Sequence, residues 1–184
     1  MEPLEIQIRD SIFDDLEYFA RWESMPEVTE FFTIDDGKTY EMTVREFYRR
    51  LEDKAARQFT VCIAGTGKPV GRIYVSSINY DYDSLDITRI YIAEPAMRGK
   101  GLGEAALKLT MKWAFEEMGC KRVTLDYFSD NIIAASLYEK VGFVKEGIMR
   151  CGGKKNGSYV DLCLMSMLKE EYYEKMSRKP METF

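Results

Sequence analysis

Histidine is absent from this sequence. Its absence removes imidazole bases, Ser–His and Cys–His nucleophilic pairs, and histidine metal ligands from consideration. The four cysteines, Cys62, Cys120, Cys151 and Cys163, stand far apart and fit neither a CxxC nor a zinc pattern. Reduced, mostly buried thiols in a cytoplasmic protein are therefore expected. No apolar run approaches the roughly 18 residues of a membrane span. The opening MEPLEIQIRD lacks a basic n-region and an apolar h-region, so no secretory leader is expected. No repeat, linker or low-complexity segment divides the 184 residues, which are expected to form a single domain with a sizeable core.

Charge is unevenly spread within the net −5. Residues 1–60 carry 15 acidic and 8 basic side chains, whereas residues 61–184 carry 16 acidic and 18 basic. A duplex-binding module would show a concentrated basic face, and direct nucleic-acid binding is not expected. An acidic first third beside a mildly basic remainder suits a cationic ligand on one side and an anionic one on the other. Solvated helix faces would produce the same counts.

Residues 4–9, LEIQIR, alternate apolar and polar and predict a strand. Asp10 or Ser11 is placed to cap a helix carrying Ile12, Phe13, Leu16, Tyr18, Phe19 and Trp22, spacings that make an apolar stripe. Pro26 interrupts it, FFTIDDGKTYEM (31–42) reads as a loop with an Asp-Gly turn, and Thr43 is placed to cap a second helix. The period then changes. QFTVCIA (58–64), VGRIYVSSINY (70–80) and LDITRIYIA (85–93), joined by short turns, predict an antiparallel meander. Helical spacing returns at Leu102, Ala106, Leu109 and Trp113. VTLDYF (123–128) predicts a strand, and NIIAASLYEKV (131–141) a helix ending at Gly142. FVKEGIMR and SYVDLCLMSML predict a closing hairpin, and EEYYEKM a terminal helix. An α+β architecture follows, one mixed sheet with helices on both faces.

Residues 98–103, RGKGLG, stand between a strand and a helix. Unpaired N–H groups of such a loop and first turn lie at the positive end of the helix dipole and suit an anion. Glycine lets a phosphate reach those donors, and Arg98 and Lys100 can add charge-assisted contacts. A P-loop would require GxxxxGK[ST], which is missing. The dinucleotide fingerprint GxGxxG fails too, because Ala106 stands where its third glycine belongs and a meander precedes the loop. A tight turn without a ligand also fits the loop taken alone.

A second stretch, NIIAASLYEKVGF (131–143), places Asn131, Ala134 and Tyr138 on one helical face, with Ile133, Leu137 and Val141 forming the apolar stripe beside it. Together the two stretches resemble the GNAT superfamily of acetyl-CoA-dependent N-acetyltransferases. Arg98, Gly101 and Gly103 fill the specified positions of its (Q/R)xxGx(G/A) loop. Asn131, Ala134, Leu137, Tyr138, Gly142 and Phe143 match its second signature. Residues 58–168 resemble the cofactor-binding core, residues 1–57 the acceptor-side elements, and 169–184 a C-terminal tail. The ending resembles ribosomal-protein-alanine and spermidine N-acetyltransferases.

The resemblance implies a mixed, mostly antiparallel sheet whose fourth and fifth strands splay to admit the pantetheine arm of acetyl-CoA. It implies main-chain contacts to that arm from Ile90, Tyr91 and Ile92. The pyrophosphate would lie on Arg98, Gly99, Lys100, Gly101, Leu102 and Gly103. Asn131 would lie near the pantetheine or the thioester end, Ala134 would leave room for the cofactor, and Tyr138 would protonate the departing thiolate. No metal is implied. The acceptor would be a primary amine of a small molecule or peptide, a polyamine suiting the acidic first third with Phe31, Phe32 and Tyr40. A non-catalytic acyl-CoA sensor is the other class. Asp86, Asp126, Glu30, Asp36 or a water relay are the candidate general bases, and a homodimer is left open.

Overall fold

The computed structural model describes residues 4–177. Seven strands, β1 (Ile6–Asp10), β2 (Arg57–Ile63), β3 (Pro69–Asn79), β4 (Ser84–Ile92), β5 (Arg122–Phe128), β6 (Val144–Lys155) and β7 (Ser158–Leu168), form one sheet in the order β1-β2-β3-β4-β5-β7-β6. The helices are α1 (Leu16–Glu23), α2 (Pro26–Thr29), α3 (Tyr40–Glu52), α4 (Leu102–Lys112), α5 (Ile132–Val141) and α6 (Lys169–Ser177). Neighbouring strands run antiparallel except β4 and β5, which are parallel and joined by the crossover through α4. The meander and the closing hairpin form as expected.

Two apolar clusters sandwich the sheet. One gathers Ala106, Leu107 and Met111 of α4 and Tyr138 and Val141 of α5 against Ile73, Leu85, Ile87, Val123 and Leu125. The other packs Leu16, Phe19 and Trp22 of α1 and Phe47 of α3 onto Tyr91 and Ala93. Strand β4 serves both because its side chains change faces midway. Ile87 belongs to the first cluster and Tyr91 to the second, a parity switch that an ideal strand forbids. The pairing explains it: Tyr74 lies opposite Arg89 but Val75 opposite Ile87, so Thr88 is an extra, bulged residue.

Four local expectations are corrected. Thr39, not Thr43, caps α3, its hydroxyl accepting from the Met42 N–H at 3.3 Å, while Thr43 is buried inside the helix. Neither Asp10 nor Ser11 caps the first helix. Asp10 ends β1, the Ser11 hydroxyl bonds Thr60 at 2.9 Å, and Asp15 accepts from the Ile12 N–H at 2.9 Å. On α4 the buried stripe is Leu102, Ala106, Leu107, Thr110 and Met111, with Leu109 only half-buried and Trp113 opening a π-helical turn. On α5, Val141 of the apolar stripe is buried and Leu137 packs on the core, but Ile133 is 78% exposed and Tyr138, from the neighbouring stripe, is buried in its place.

Candidate active site

Strands β4 and β5 pair only at Ser84↔Arg122, Leu85↔Val123 and Asp86↔Thr124. Beyond Asp86 they diverge, opening a gap where the bulge at Thr88 begins. The Ala93 N–H bonds the Val70 carbonyl at 2.8 Å, which fixes the parity of the β3–β4 ladder. Tyr91 is then hydrogen-bonded to Arg72 across that ladder. The main-chain groups of Ile90 and Ile92 point the other way, toward the gap. The sequence expectation of three main-chain contacts reduces to these two, because the Tyr91 backbone is already committed to β3.

The gap opens into a cleft of about 800 Å³. Its walls include Ile90, Tyr91, Ile92, Arg98, Gly99, Gly101, Leu102, Gly103, Asn131, Ala134 and Tyr138. Lys100 is exposed and lies outside that lining. Residues from two motifs some thirty positions apart in sequence thus meet at one opening.

The glycine loop is built by backbone sign. Gly99 at φ 71° and Gly101 at φ 77° are left-handed, a conformation costing other residues roughly 1–2 kcal/mol. Gly101 is also the N-cap of α4, and a Cβ there would enter open space. The Ala105 N–H takes the Gly101 carbonyl at 3.0 Å, and the N–H groups of Leu102, Gly103 and Glu104 at the helix start have no backbone partner among the described residues. The Arg98 guanidinium turns back onto the end of β4, donating to the Ile92 and Ala93 carbonyls at 3.3 and 3.0 Å. It ties loop to strand.

Asn131 caps α5, its Oδ1 accepting from the Ala134 N–H at 3.0 Å, an arrangement worth about 1 kcal/mol. Gly142 at φ 118° closes the helix, with the Gly142 and Phe143 N–H groups both bonded to the Tyr138 carbonyl. Tyr138 is thus held at both ends of a short helix. Its ring packs on Tyr127 and Phe143, with centroids 5.7 and 6.1 Å away. Burial, then the nearby charges of Asp126 and Tyr127, push its hydroxyl well above the ordinary tyrosine range.

On the other face of the sheet, Glu27, Glu30, Phe31, Phe32 and Thr33 close the cleft. Phe31 meets Phe128 edge-on with centroids 6.4 Å apart. This loop is pinned from two sides. The β6–β7 turn holds it through Lys155, bonded to the Thr29 carbonyl, and Asn156, whose N–H reaches Asp35 at 2.6 Å. Lys38 bonds Glu23 and Glu46 beneath it. Asp36 is engaged by the Asn156 amide at 2.9 Å, and neither Asp36 nor Tyr40 reaches the cleft. Among the four candidate bases, Asp126 and Glu30 line it, and Asp86 sits at the fork, accepting from Thr88 and Thr124 at 2.9 Å each.

A buried ionic cluster escaped sequence reading. Glu23 accepts from Arg72 at 2.6 Å, Arg89 at 3.0 Å and the Tyr91 hydroxyl at 3.1 Å. These residues are scattered across α1, β3 and β4, and no local pattern connects them. Two cleft residues missed earlier, Met97 and Phe128, flank the recognised motifs and were legible only as apolar fillers.

Strands parting at a bulge, a left-handed glycine loop at a helix start and a buried tyrosine facing the gap define the scaffold of an acyl-thioester transferase. Residues 6–144 match the family described as Acetyltransferase (GNAT) domain. The chain belongs to the GNAT acetyltransferases, and is an N-acetyltransferase using acetyl-CoA. Its relatives include the Bacillus subtilis protein named probable N-acetyltransferase YjcK, 27% identical over 84% of this chain and 83% of that one. Spermidine N(1)-acetyltransferase of Vibrio cholerae is 25% identical over 86% of this chain and 90% of that one. The crystal structure of spermidine N-acetyltransferase from Vibrio cholerae with CoA and spermine superposes with a TM-score of 0.82. It is 23% identical and covers 91% of this chain and 98% of that one. Among the described residues no helix is long and apolar enough to cross a membrane, and no metal-ligating cluster occurs.

Proposed function

We propose that the chain acetylates a primary amine of a polyamine or similar cationic small molecule, by direct attack within a ternary complex. The observation that carries this reading is the acceptor mouth. Glu27, Glu30 and Asp126 stand beside Phe31, Phe32 and Phe128, so carboxylates meet ammonium groups and aromatic faces meet the methylenes between them. The likeness to proteins named spermidine N-acetyltransferases supports it.

The gap fits the thioester arm and the glycine loop fits a diphosphate. Main-chain groups of Ile90 and Ile92 hold the arm as a further strand would, and N–H groups of residues 101–104 hold the pyrophosphate. Arg98 keeps the loop against β4. Asn131 and Ala134 border the thioester end, where a larger side chain would fill the space. An Ile92 N–H aimed into the gap stabilises negative charge developing on the acyl oxygen. Tyr138 gives its proton to the departing thiolate, a suitable task for a hydroxyl that stays protonated at neutral pH. Holding both substrates in one cleft supplies the orientational part of the acceleration.

The test is thiol release from acetyl-CoA with a panel of polyamines, amino acids, aminoglycosides and N-terminal peptides. Turnover is expected with polyamines. Turnover only with N-terminal peptides would make the chain a protein acetyltransferase of the ribosomal type. Acetyl-CoA binding without turnover across the panel would make it a sensor.

A further inference from the structure

Tyr138 and Asp126 border the same gap from opposite faces of the sheet. On β5, Val123, Leu125 and Tyr127 pack into the cluster that contains Tyr138 and α4. Thr124, Asp126 and Phe128 therefore point to the other face, and the contact between Phe128 and Phe31 of the acceptor-side loop confirms that parity. On β4, Asp86 faces Thr124 across the last paired position, and the bulged Thr88 follows it. Asp126 is thus the first carboxylate of β5 beyond the point where the strands part. Its side chain is open to the cleft.

The groups around Asp126 carry no positive charge. From β4 the charge of Asp86 acts on it, Asp126 acts in turn on Tyr138 of α5, and it shares the cleft with Thr88 of β4 and Glu30 of the acceptor loop. Among the described residues no donor or cation is hydrogen-bonded or ion-paired to it, whereas Asp86 is occupied by Thr88 and Thr124. Partial desolvation between the cleft walls, then the charge of Asp86, pushes the Asp126 carboxyl up to about 6. Position β4-88, at the mouth of the gap, carries a hydroxyl that is itself bonded to Ser76 and Asp86.

We infer that Asp126 is the general base, taking the acceptor amine's proton on the sheet face opposite the one from which Tyr138 acts. This rests on the acetyltransferase reading above. The bound ammonium gives one proton to Asp126, directly or through one water, and Asp126 returns it to solvent. The neutral nitrogen forms its bond to the thioester carbon, the carbon–sulfur bond breaks, and sulfur takes the Tyr138 proton. The second proton shed by nitrogen restores Tyr138. One proton is released per acetyl transferred. Amine and thioester thus enter from opposite faces, each with its proton group on its own side.

The test is the pH profile of kcat/KM with spermidine for the wild type, Asp126→Asn, Asp126→Glu, Asp86→Asn and Glu30→Gln, with CoA affinity by calorimetry as the folding check. In the wild type kcat/KM should show a one-proton break near pH 6. Asp126→Asn should abolish that break and lower kcat about 100-fold or more while sparing CoA affinity. Asp126→Glu should restore part of the rate, and Asp86→Asn should move the break to lower pH because a repelling charge is gone. A break that persists in Asp126→Asn, or that moves with Glu30→Gln instead, would overturn the assignment. A wild type that binds CoA but releases no thiol with any amine would overturn the acetyltransferase reading itself.

Discussion

Arg89, on the strand that borders the gap, donates to Glu23 Oε1 at 3.0 Å from the end of α1. Arg72 reaches the same oxygen at 2.6 Å and stacks its guanidinium over Phe19, 4.2 Å from the ring centroid. Lys38, from the loop behind the acceptor mouth, takes the other oxygen. One carboxylate therefore fastens α1, β3, β4 and the acceptor-side loop together directly beneath the cleft. Removing it strands buried cations, which costs far more than a surface pair would. Glu23→Gln, nearly the same shape, is expected to destabilise the fold by about 3–5 kcal/mol, read as a drop in the urea midpoint at pH 7.

The same cluster sets an acid limit. Burial pushes the Glu23 and Glu46 carboxyls up, but the charges of Arg89, Arg72 and Lys38 on Glu23, and of Arg89, Arg50 and Lys38 on Glu46, outweigh it. Glu46 ends at about 2 and Glu23 lower still. Folded values below the unfolded value of about 4.3 mean stability is fully present above that pH and lost as pH falls toward the folded values. Melting temperature should be level from neutral pH to about 5 and fall steeply between about 4 and 2. Glu46→Gln should start lower and fall less steeply. A wild-type decline centred near pH 6 would contradict this origin.

Much of this was readable from local pattern. RGKGLG and NIIAASLYEKVGF each carry their geometry in residue type: glycines where φ is positive, an asparagine cap and a terminal glycine. The meander was legible because its strands alternate or run apolar between turns. The fork was foreseen only through the family resemblance, because a bulge at Thr88 depends on pairing with β3 and leaves no mark in the residues themselves. The packing of the first turns of α5 was not legible, where an apolar Ile133 is exposed at the cleft rim while the polar-tipped Tyr138, also lining the cleft, is buried. Helical periodicity assigns apolar residues to the inside, and Ile133 at the cleft rim departs from that rule while Val141 obeys it. The Glu23 cluster joins residues up to 68 positions apart and is a property of the tertiary fold alone.

Gly101 separates a conformational cost from a steric one. At φ 77° any side chain is strained, yet a Cβ would meet no protein atom within 4 Å. Gly101→Ala should therefore lose roughly 1–2 kcal/mol of stability. Gly101→Val should fold with a similar loss but bind CoA at least about 10-fold more weakly, because its branches would occupy the space above the free N–H groups. Calorimetric titration of CoA checks this. Unchanged affinity in a folded Val variant would remove the pyrophosphate from this loop.

Glu30 should separate acceptor binding from donor binding. It lies on the acceptor-side loop beside Phe31 and shares the cleft with the donor gap without being part of it. Glu30→Gln should raise KM for spermidine by about 5- to 10-fold, the loss of a partly exposed charge contact of about 1 kcal/mol, and leave KM for acetyl-CoA unchanged. Equal effects on both constants would instead indicate a displaced loop.

Tyr138→Phe removes one oxygen from a ring that is packed on Tyr127 and Phe143 and whose hydroxyl has no protein partner among the described residues. The fold should therefore be unaffected, and CoA affinity with it. Turnover should fall about 100-fold or more if the thiolate must find its proton elsewhere. The raised hydroxyl pKa adds a second signature: burial and the charges of Asp126 and Tyr127 keep the tyrosine protonated, so it should impose no alkaline decline on kcat below pH about 10. Single-turnover mixing of enzyme, acetyl-CoA and spermidine isolates the chemical step from product release. A Phe variant that transfers acetyl at the wild-type rate in that experiment would leave Tyr138 as packing alone, and the leaving thiolate would then be protonated by water.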